Sequence, residues 1–156
     1  MTTRRDFLLL TCGSALAAPT LAQLQPNVSE ARRQALEEAI RKTVGNVELK
    51  KGKVTLDVPP LIDNGNSVPI GVTVDSPMTA SEHVKAIHLF TEKNPQPYIL
   101  TAHLGPRAGR AAVTTRARIA DSGRVIAIAQ LSDGSCWQDS VSVVVTLSAC
   151  LEDGLI

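Results

Sequence analysis

Hydrophobic positions along this chain repeat with two different periods. Ala31, Ala35, Leu36, Ala39, Ile40 and Val44 recur at helical spacing, Asn27 with Glu30 three residues on has the form of a capping box, and Gly45 stops the pattern. The spacing predicts one amphipathic helix over residues 27–45. From there the period changes to two, the signature of strands with one buried face. Val54, Leu56 and Val58 make the first such run, and Val68, Ile70, Val72 and Val74 the second. Ile87 with Leu89, then Leu100 with Ala102 and Leu104, continue it. Val113, Thr115, Ala117 and Ile119 follow, then Val125, Ala127, Ala129 and Leu131, and finally Val141, Val143, Val145 and Leu147. Pro, Gly, Asn and Asp separate the runs, and Asp133-Gly134 is the clearest hairpin turn, joining the last two. About seven short strands after one short N-terminal helix predict an all-β chain, an immunoglobulin-like β-sandwich over residues 47–147.

The two ends of the chain bear on where and how it works. Thr3-Arg4-Arg5-Asp6-Phe7-Leu8, the apolar stretch from Phe7 to Leu16 and a small-residue exit near Ala22 predict a twin-arginine export signal over residues 1–22, and hence a periplasmic protein. The stretch is too short to span a bilayer as a permanent helix, so no membrane association is expected after its removal. Loss of Arg4, Arg5 and Asp6 from 16 basic and 15 acidic residues leaves 14 of each. A mature chain without net charge argues against nucleic acid or an anionic membrane as partner. Aromatic residues make up 3% of the sequence, so the core must be aliphatic.

Cys12 leaves with the signal, which leaves Cys136 and Cys150 in an oxidising compartment where a disulfide is the first reading to test. Cys136 opens the last strand and Cys150 lies past its far end. At about 3.3 Å per residue a ten-residue strand separates the two by roughly 33 Å, whereas a disulfide needs Cα atoms within about 7 Å. Both thiols are therefore expected to be unpaired within the monomer. Cys150, in a terminal segment over 148–156, has little structure to stabilise and is the leading reactive group. Cys136 neighbours Trp137 and is read as a half-buried thiol packed on that ring, with a redox role or an intermolecular bridge as the alternatives.

The order of these features carries a resemblance. The segments GKVTLDVPPLIDNGNSVPIGVTVDSP, HVKAIHLFTEKNPQPYI and VSVVVTLSAC, with the landmarks Asn64-Gly65, Lys93-Asn94-Pro95, Thr115-Arg116 and Asp133-Gly134 in sequence, make the mature chain resemble the SoxY family of sulfur carriers. The resemblance implies a non-catalytic Ig-like subunit that pairs with a SoxZ-like partner. It further implies that sulfur intermediates are held covalently on a cysteine of a C-terminal arm while Sox enzymes load, hydrolyse and oxidise them in thiosulfate oxidation. By its place after the last strand, Cys150 corresponds to that attachment residue, with Cys136 a possible secondary thiol. Glycine pairs bracket the cysteine in such arms; here Ser148 and Ala149 precede it, and Leu151, Glu152 and Asp153 follow. That departure leaves a second reading open: an interaction module that keeps the partner surface without the carrier arm, its tail docking by Leu151, Leu155 and Ile156.

No other chemistry is expected. His83, His88 and His103 lack metal-ligand spacing, Gly105 to Gly109 lacks the Lys-Ser/Thr ending of a phosphate loop, and no serine sits in a nucleophile elbow. Neither metal nor resident cofactor is predicted, only a covalent sulfur adduct. Arg107, Arg110, Arg116, Arg118 and Arg124 form the densest basic stretch, read as solvated strand faces or a docking surface.

Overall fold

Alternation of aliphatic and polar residues closes into two stacked sheets in the computed structural model, which describes residues 28–147. The signal region, Asn27 and the segment 148–156 with Cys150 lie outside the described residues. Helix α1 (Val28–Val44) leads into β1 (Leu49–Lys51), β2 (Val54–Asp57), β3 (Leu61–Ile62), β4 (Val68–Val74) and β5 (Val84–Thr91). Then come β6 (Tyr98–His103), β7 (Ala112–Ala117), β8 (Gly123–Leu131) and β9 (Cys136–Val145). The larger sheet has the order β1-β9-β8-β5-β6, with β3 also paired to β9, and the smaller is β2-β4-β7. β1 and β3 run parallel to β9, and every other pairing is antiparallel.

The core between the sheets is aliphatic, as the composition requires: Val68, Ile70 and Val72 of β4 face Ile87, Leu89, Val125, Ala127, Ala129 and Leu131. β5 and β8 are buried on both faces, so their alternate residues build a second cluster. Phe90, Ile126, Ile128 and Cys136 on the outer face of the large sheet meet Leu36 and Val44 of α1. Ala31 and Ala35, expected on the apolar stripe, are exposed, because the helix buries residues only from Leu36 onward. Gly45 accepts the end of the helix at φ +83°, its N–H donating to the Arg41 carbonyl at 3.0 Å.

All seven expected strands are present, with two differences. β1 and β3 are additional; strands of three and two residues carry no readable period. Several runs also end early: Val58, Leu104, Ile119 and Leu147 fall just outside their strands. The Asp133-Gly134 turn joins β8 to β9 as expected, with Gly134 at φ +84° and the Asp133 carboxylate accepting from the Ser135 N–H at 2.8 Å. Hydrogen bonds from the Ser135 side chain and backbone hold that carboxyl below its ordinary range. No helix among the described residues is long and apolar enough to cross a membrane.

Candidate functional site

The two cysteines that dominate the sequence reading stand at opposite ends of β9. Cys136 is fully buried and free. Strand alternation places it on the helix side, in the cluster of Leu36, Phe90, Ile126 and Ile128, while Trp137 points to the inter-sheet side. The expected half-buried packing on Trp137 is therefore corrected: neighbouring residues of a strand face opposite ways. Trp137 instead donates its Nε1–H to Ser135 Oγ at 3.0 Å and is flanked by the Lys50 and Lys53 ammonium groups, 5.9 and 5.4 Å from the ring centre. Burial, and secondarily the Asp133 charge, push the Cys136 thiol above its ordinary pKa. A buried thiol held protonated is a poor nucleophile, so its surroundings lend no support to a redox role.

The far end of β9 is built differently. Val144 donates its N–H to the Pro60 carbonyl at 2.8 Å, Thr146 to the Ile62 carbonyl at 3.0 Å, and Gly65 donates to the Leu147 carbonyl at 3.0 Å. Thr146 Oγ1 adds a bond to the Asp63 carbonyl at 3.1 Å, and on the other side Ser122 Oγ accepts from the Val145 N–H at 2.9 Å. The 64–65 turn is shaped by Asn64, whose Oδ1 accepts from the Asn66 backbone N–H at 2.9 Å, and the Gly65 carbonyl takes the Ile119 N–H at 2.8 Å. Asn64-Gly65 thus clamps the root of the terminal segment. Cys150 itself lies outside the described residues, three positions beyond that clamp, a reach of at most about 10 Å. β9 spans roughly 30 Å from Cys136 to Val145, so Cys150 cannot reach back to Cys136 within one chain.

Other sequence candidates separate in space. His88, on β5, is 4% exposed and shares a 2.7 Å hydrogen bond between Nδ1 and Thr101 Oγ1, which also takes the Tyr98 O–H at 3.0 Å. Its Nε2 has no partner among the described residues. Burial, then the neighbouring His103, lower the His88 pKa. No three His, Cys, Asp or Glu side chains among the described residues come together as a metal site. Two members of the basic stretch stand on different sheets: Arg124, on β8 of the large sheet, pairs with Glu92 at 3.1 Å, while Arg116, on β7 of the small sheet, reaches Ser67 at 3.4 and 3.5 Å. Asn94, of the Lys93-Asn94-Pro95 landmark, ties the 118–120 loop by donating to the Arg118 carbonyl at 2.9 Å and accepting from the Ala120 N–H at 2.7 Å. The clamp and the His88–Thr101–Tyr98 chain were missed from sequence. Only the pairing of β5 with β6, and of β3 with β9, could have signalled them.

A family model described as sulfur oxidation protein SoxY matches residues 40–150, ending on Cys150. The chain belongs to the SoxY family. Among solved structures, the sulfur carrier protein SoxY from Chlorobium limicola f thiosulfatophilum matches with a TM-score of 0.61 at 23% identity, covering 73% of this chain and 98% of that one. A superoxide reductase (neelaredoxin) from Ignicoccus hospitalis matches with a TM-score of 0.54 at 18% identity, covering 60% of this chain and 80% of that one. The superoxide reductase from Nanoarchaeum equitans matches with a TM-score of 0.52 at 14% identity, covering 62% and 100%. At these identities the structures show a shared sandwich and no more. No curated protein matches this sequence. Of the landmarks in the sequence, Asn64-Gly65 and Asp133-Gly134 lie in turns and Asn94 fixes the 118–120 loop.

Proposed function

We propose that this SoxY-family chain is a periplasmic carrier, exported by the twin-arginine route, that holds sulfur intermediates covalently on Cys150. It works without catalysing the reactions itself, as a heterodimer with a SoxZ-like subunit, and presents its cargo to Sox enzymes. The observation that carries the reading is the clamp at Leu147: the sandwich holds the strand end through Gly65, three positions before Cys150 in the sequence. Cys136, buried beneath α1, supports the assignment to Cys150 by removing its competitor.

The chemistry asked of Cys150 is that of a thiolate. Joining its sulfur to the outer sulfur of thiosulfate forms an S–S bond and releases two electrons, which an electron-transfer partner must accept. No resident cofactor is needed on the carrier. Glu152 and Asp153 nearby oppose both the thiolate and an anionic cargo by on the order of 1 kcal/mol in water, less than the steric effect of Leu151 in a narrow cleft.

Mass spectrometry of the protein recovered from periplasm of cells given thiosulfate tests the reading. A sulfur-containing mass increment on the Cys150 peptide, abolished in Cys150→Ser, is expected; its absence under every sulfur source removes the carrier role. The glycine-free arm favours one second reading, an adaptor that retains the partner surface alone. Unchanged sulfur-dependent growth of the Cys150→Ser strain with the heterodimer intact would select it.

A further inference from the structure

The turn that holds the strand end also sets an electrophile beside a nucleophile. Asn64 is exposed, and its side-chain Oδ1 accepts two hydrogen bonds, from the Asn66 backbone N–H at 2.9 Å and from Asn66 Nδ2 at 3.0 Å. Two donors on one amide oxygen draw electron density from Cγ and are placed to hold the negative charge that oxygen acquires when Cγ is attacked. The next nitrogen in the chain belongs to Gly65, and no side chain hinders its approach to Cγ. Asn64 alone among the asparagines of this sequence precedes a glycine. What holds the nucleophile back is its proton: Gly65 is buried, and its N–H donates to the Leu147 carbonyl at 3.0 Å. The activating bonds stay within one turn, whereas the lock reaches to another strand. Asp133-Gly134 repeats the spacing without the chemistry. The Ser135 hydroxyl and backbone N–H bond Asp133 Oδ1 at 2.7 and 2.8 Å and keep that carboxyl ionised, and a carboxylate is a poor electrophile.

We propose that Asn64-Gly65 is a self-modifying site, gated by opening of the Gly65–Leu147 hydrogen bond, and that its reaction abolishes that bond. When the strand end opens, hydroxide takes the Gly65 amide proton and the nitrogen attacks Asn64 Cγ. A C–N bond forms, the Cγ–Nδ2 bond breaks, and ammonia leaves with a proton from water. Water then opens the succinimide at either carbonyl, giving aspartate or isoaspartate at residue 64, and no oxidant or reductant takes part. In the succinimide the Gly65 nitrogen bears no hydrogen and has nothing to donate to Leu147. In the isoaspartate the N–H returns, but the backbone is longer by a methylene, which takes Gly65 out of register with Leu147 and with the Ile119 N–H that its carbonyl accepts at 2.8 Å. Loss of ammonia makes the change one-way, so the turn works as a timer on the attachment of β9 to its neighbours. The site lies within the sandwich, and the inference stands whether or not Cys150 carries sulfur.

The test is ageing of the mature full-length protein at mildly alkaline pH, with isoaspartate located by enzymatic methylation and peptide mass spectrometry. Isoaspartate is expected at residue 64 and not at Asn46, Asn66 or Asn94. In the folded protein it should form at least about tenfold more slowly than in the urea-unfolded chain, because reaction waits on local opening. Thr146→Val deletes the Oγ1 bond to the Asp63 carbonyl at 3.1 Å; it should quicken the reaction several-fold in the folded protein and leave the rate in urea unaltered. Should Thr146→Val not fold, the parent in urea below its unfolding transition supplies the same comparison, with the rate rising as urea is added. The isoaspartyl form, separated by ion exchange, should show faster amide hydrogen exchange at Thr146, whose N–H is held by the Ile62 carbonyl at 3.0 Å. Equal rates in folded and unfolded protein overturn the gate. A folded protein that forms no isoaspartate at residue 64 while the unfolded chain does, or unaltered exchange at Thr146 after conversion, overturns the proposal. Absence of a sulfur adduct on Cys150 in cells would remove the carrier reading and leave these rates unaltered.

Discussion

Gly65 donates its backbone N–H to the Leu147 carbonyl at 3.0 Å, and through this bond a turn between β3 and β4 fixes the last described residue of the chain. The same glycine accepts the Ile119 N–H at 2.8 Å, so the strand end, the turn and the loop after β7 form one backbone-bonded unit. Cys150 follows this unit three positions later in the sequence.

Asn64→Ala is expected to loosen that unit. The substitution removes the acceptor for the Asn66 backbone and side-chain N–H groups at 2.9 and 3.0 Å, which costs about 1 kcal/mol for an exposed turn. Amide hydrogen exchange at Gly65 should quicken several-fold while exchange in β5 and β8 stays as before. Unaltered exchange at Gly65 would show that Asn64 does not shape the clamp.

Cys136→Ser is expected to destabilise the sandwich by about 1–3 kcal/mol, because a hydroxyl replaces a thiol in the apolar cluster beneath α1 with no partner in view. Urea denaturation measures this directly. In the native protein Cys136 should resist alkylation until denaturant is added; rapid native labelling would contradict its burial.

Acidification is expected to act through His88. Burial lowers its folded-state pKa below the ordinary 6.5, so the unfolded chain binds the proton first. Stability is then full above about pH 6.5 and falls as the pH drops from there toward the lowered folded pKa. The urea midpoint should decline between pH 7.5 and pH 5 in the parent, and His88→Asn, which cannot titrate, should flatten that decline. Equal declines in both proteins would assign the effect to other groups. The carboxylates held low by their partners, Glu92 by Arg124 and Asp133 by Ser135, lose their contributions only at more acid pH.

Gly134→Ala tests the β8–β9 hairpin. At φ +84° an alanine is strained, although nothing lies within 4 Å of its Cβ position. The expected cost is about 1 kcal/mol, read as a lower thermal midpoint without any change in the fold seen by circular dichroism. A neutral effect would mean that the turn relaxes freely.

What could be read from the residues alone was local. Alternation in Val68–Val74 and Val125–Leu131, the helical spacing to Val44 and the Asp133-Gly134 turn determined the strands, the helix and the sandwich class, because each signal is written within a few consecutive side chains. The separation of Cys136 from Cys150 followed from the rise of one strand. Tertiary structure decided the rest. Only the β3–β9 pairing gives Asn64-Gly65 its grip on Leu147 and leaves Leu61 beside Val144. Only helix packing buries Cys136 away from Trp137, and only the β5–β6 register brings Thr101 to His88. These relationships join residues from 13 to more than 80 positions apart, and no periodicity within a segment encodes which distant backbone it will meet.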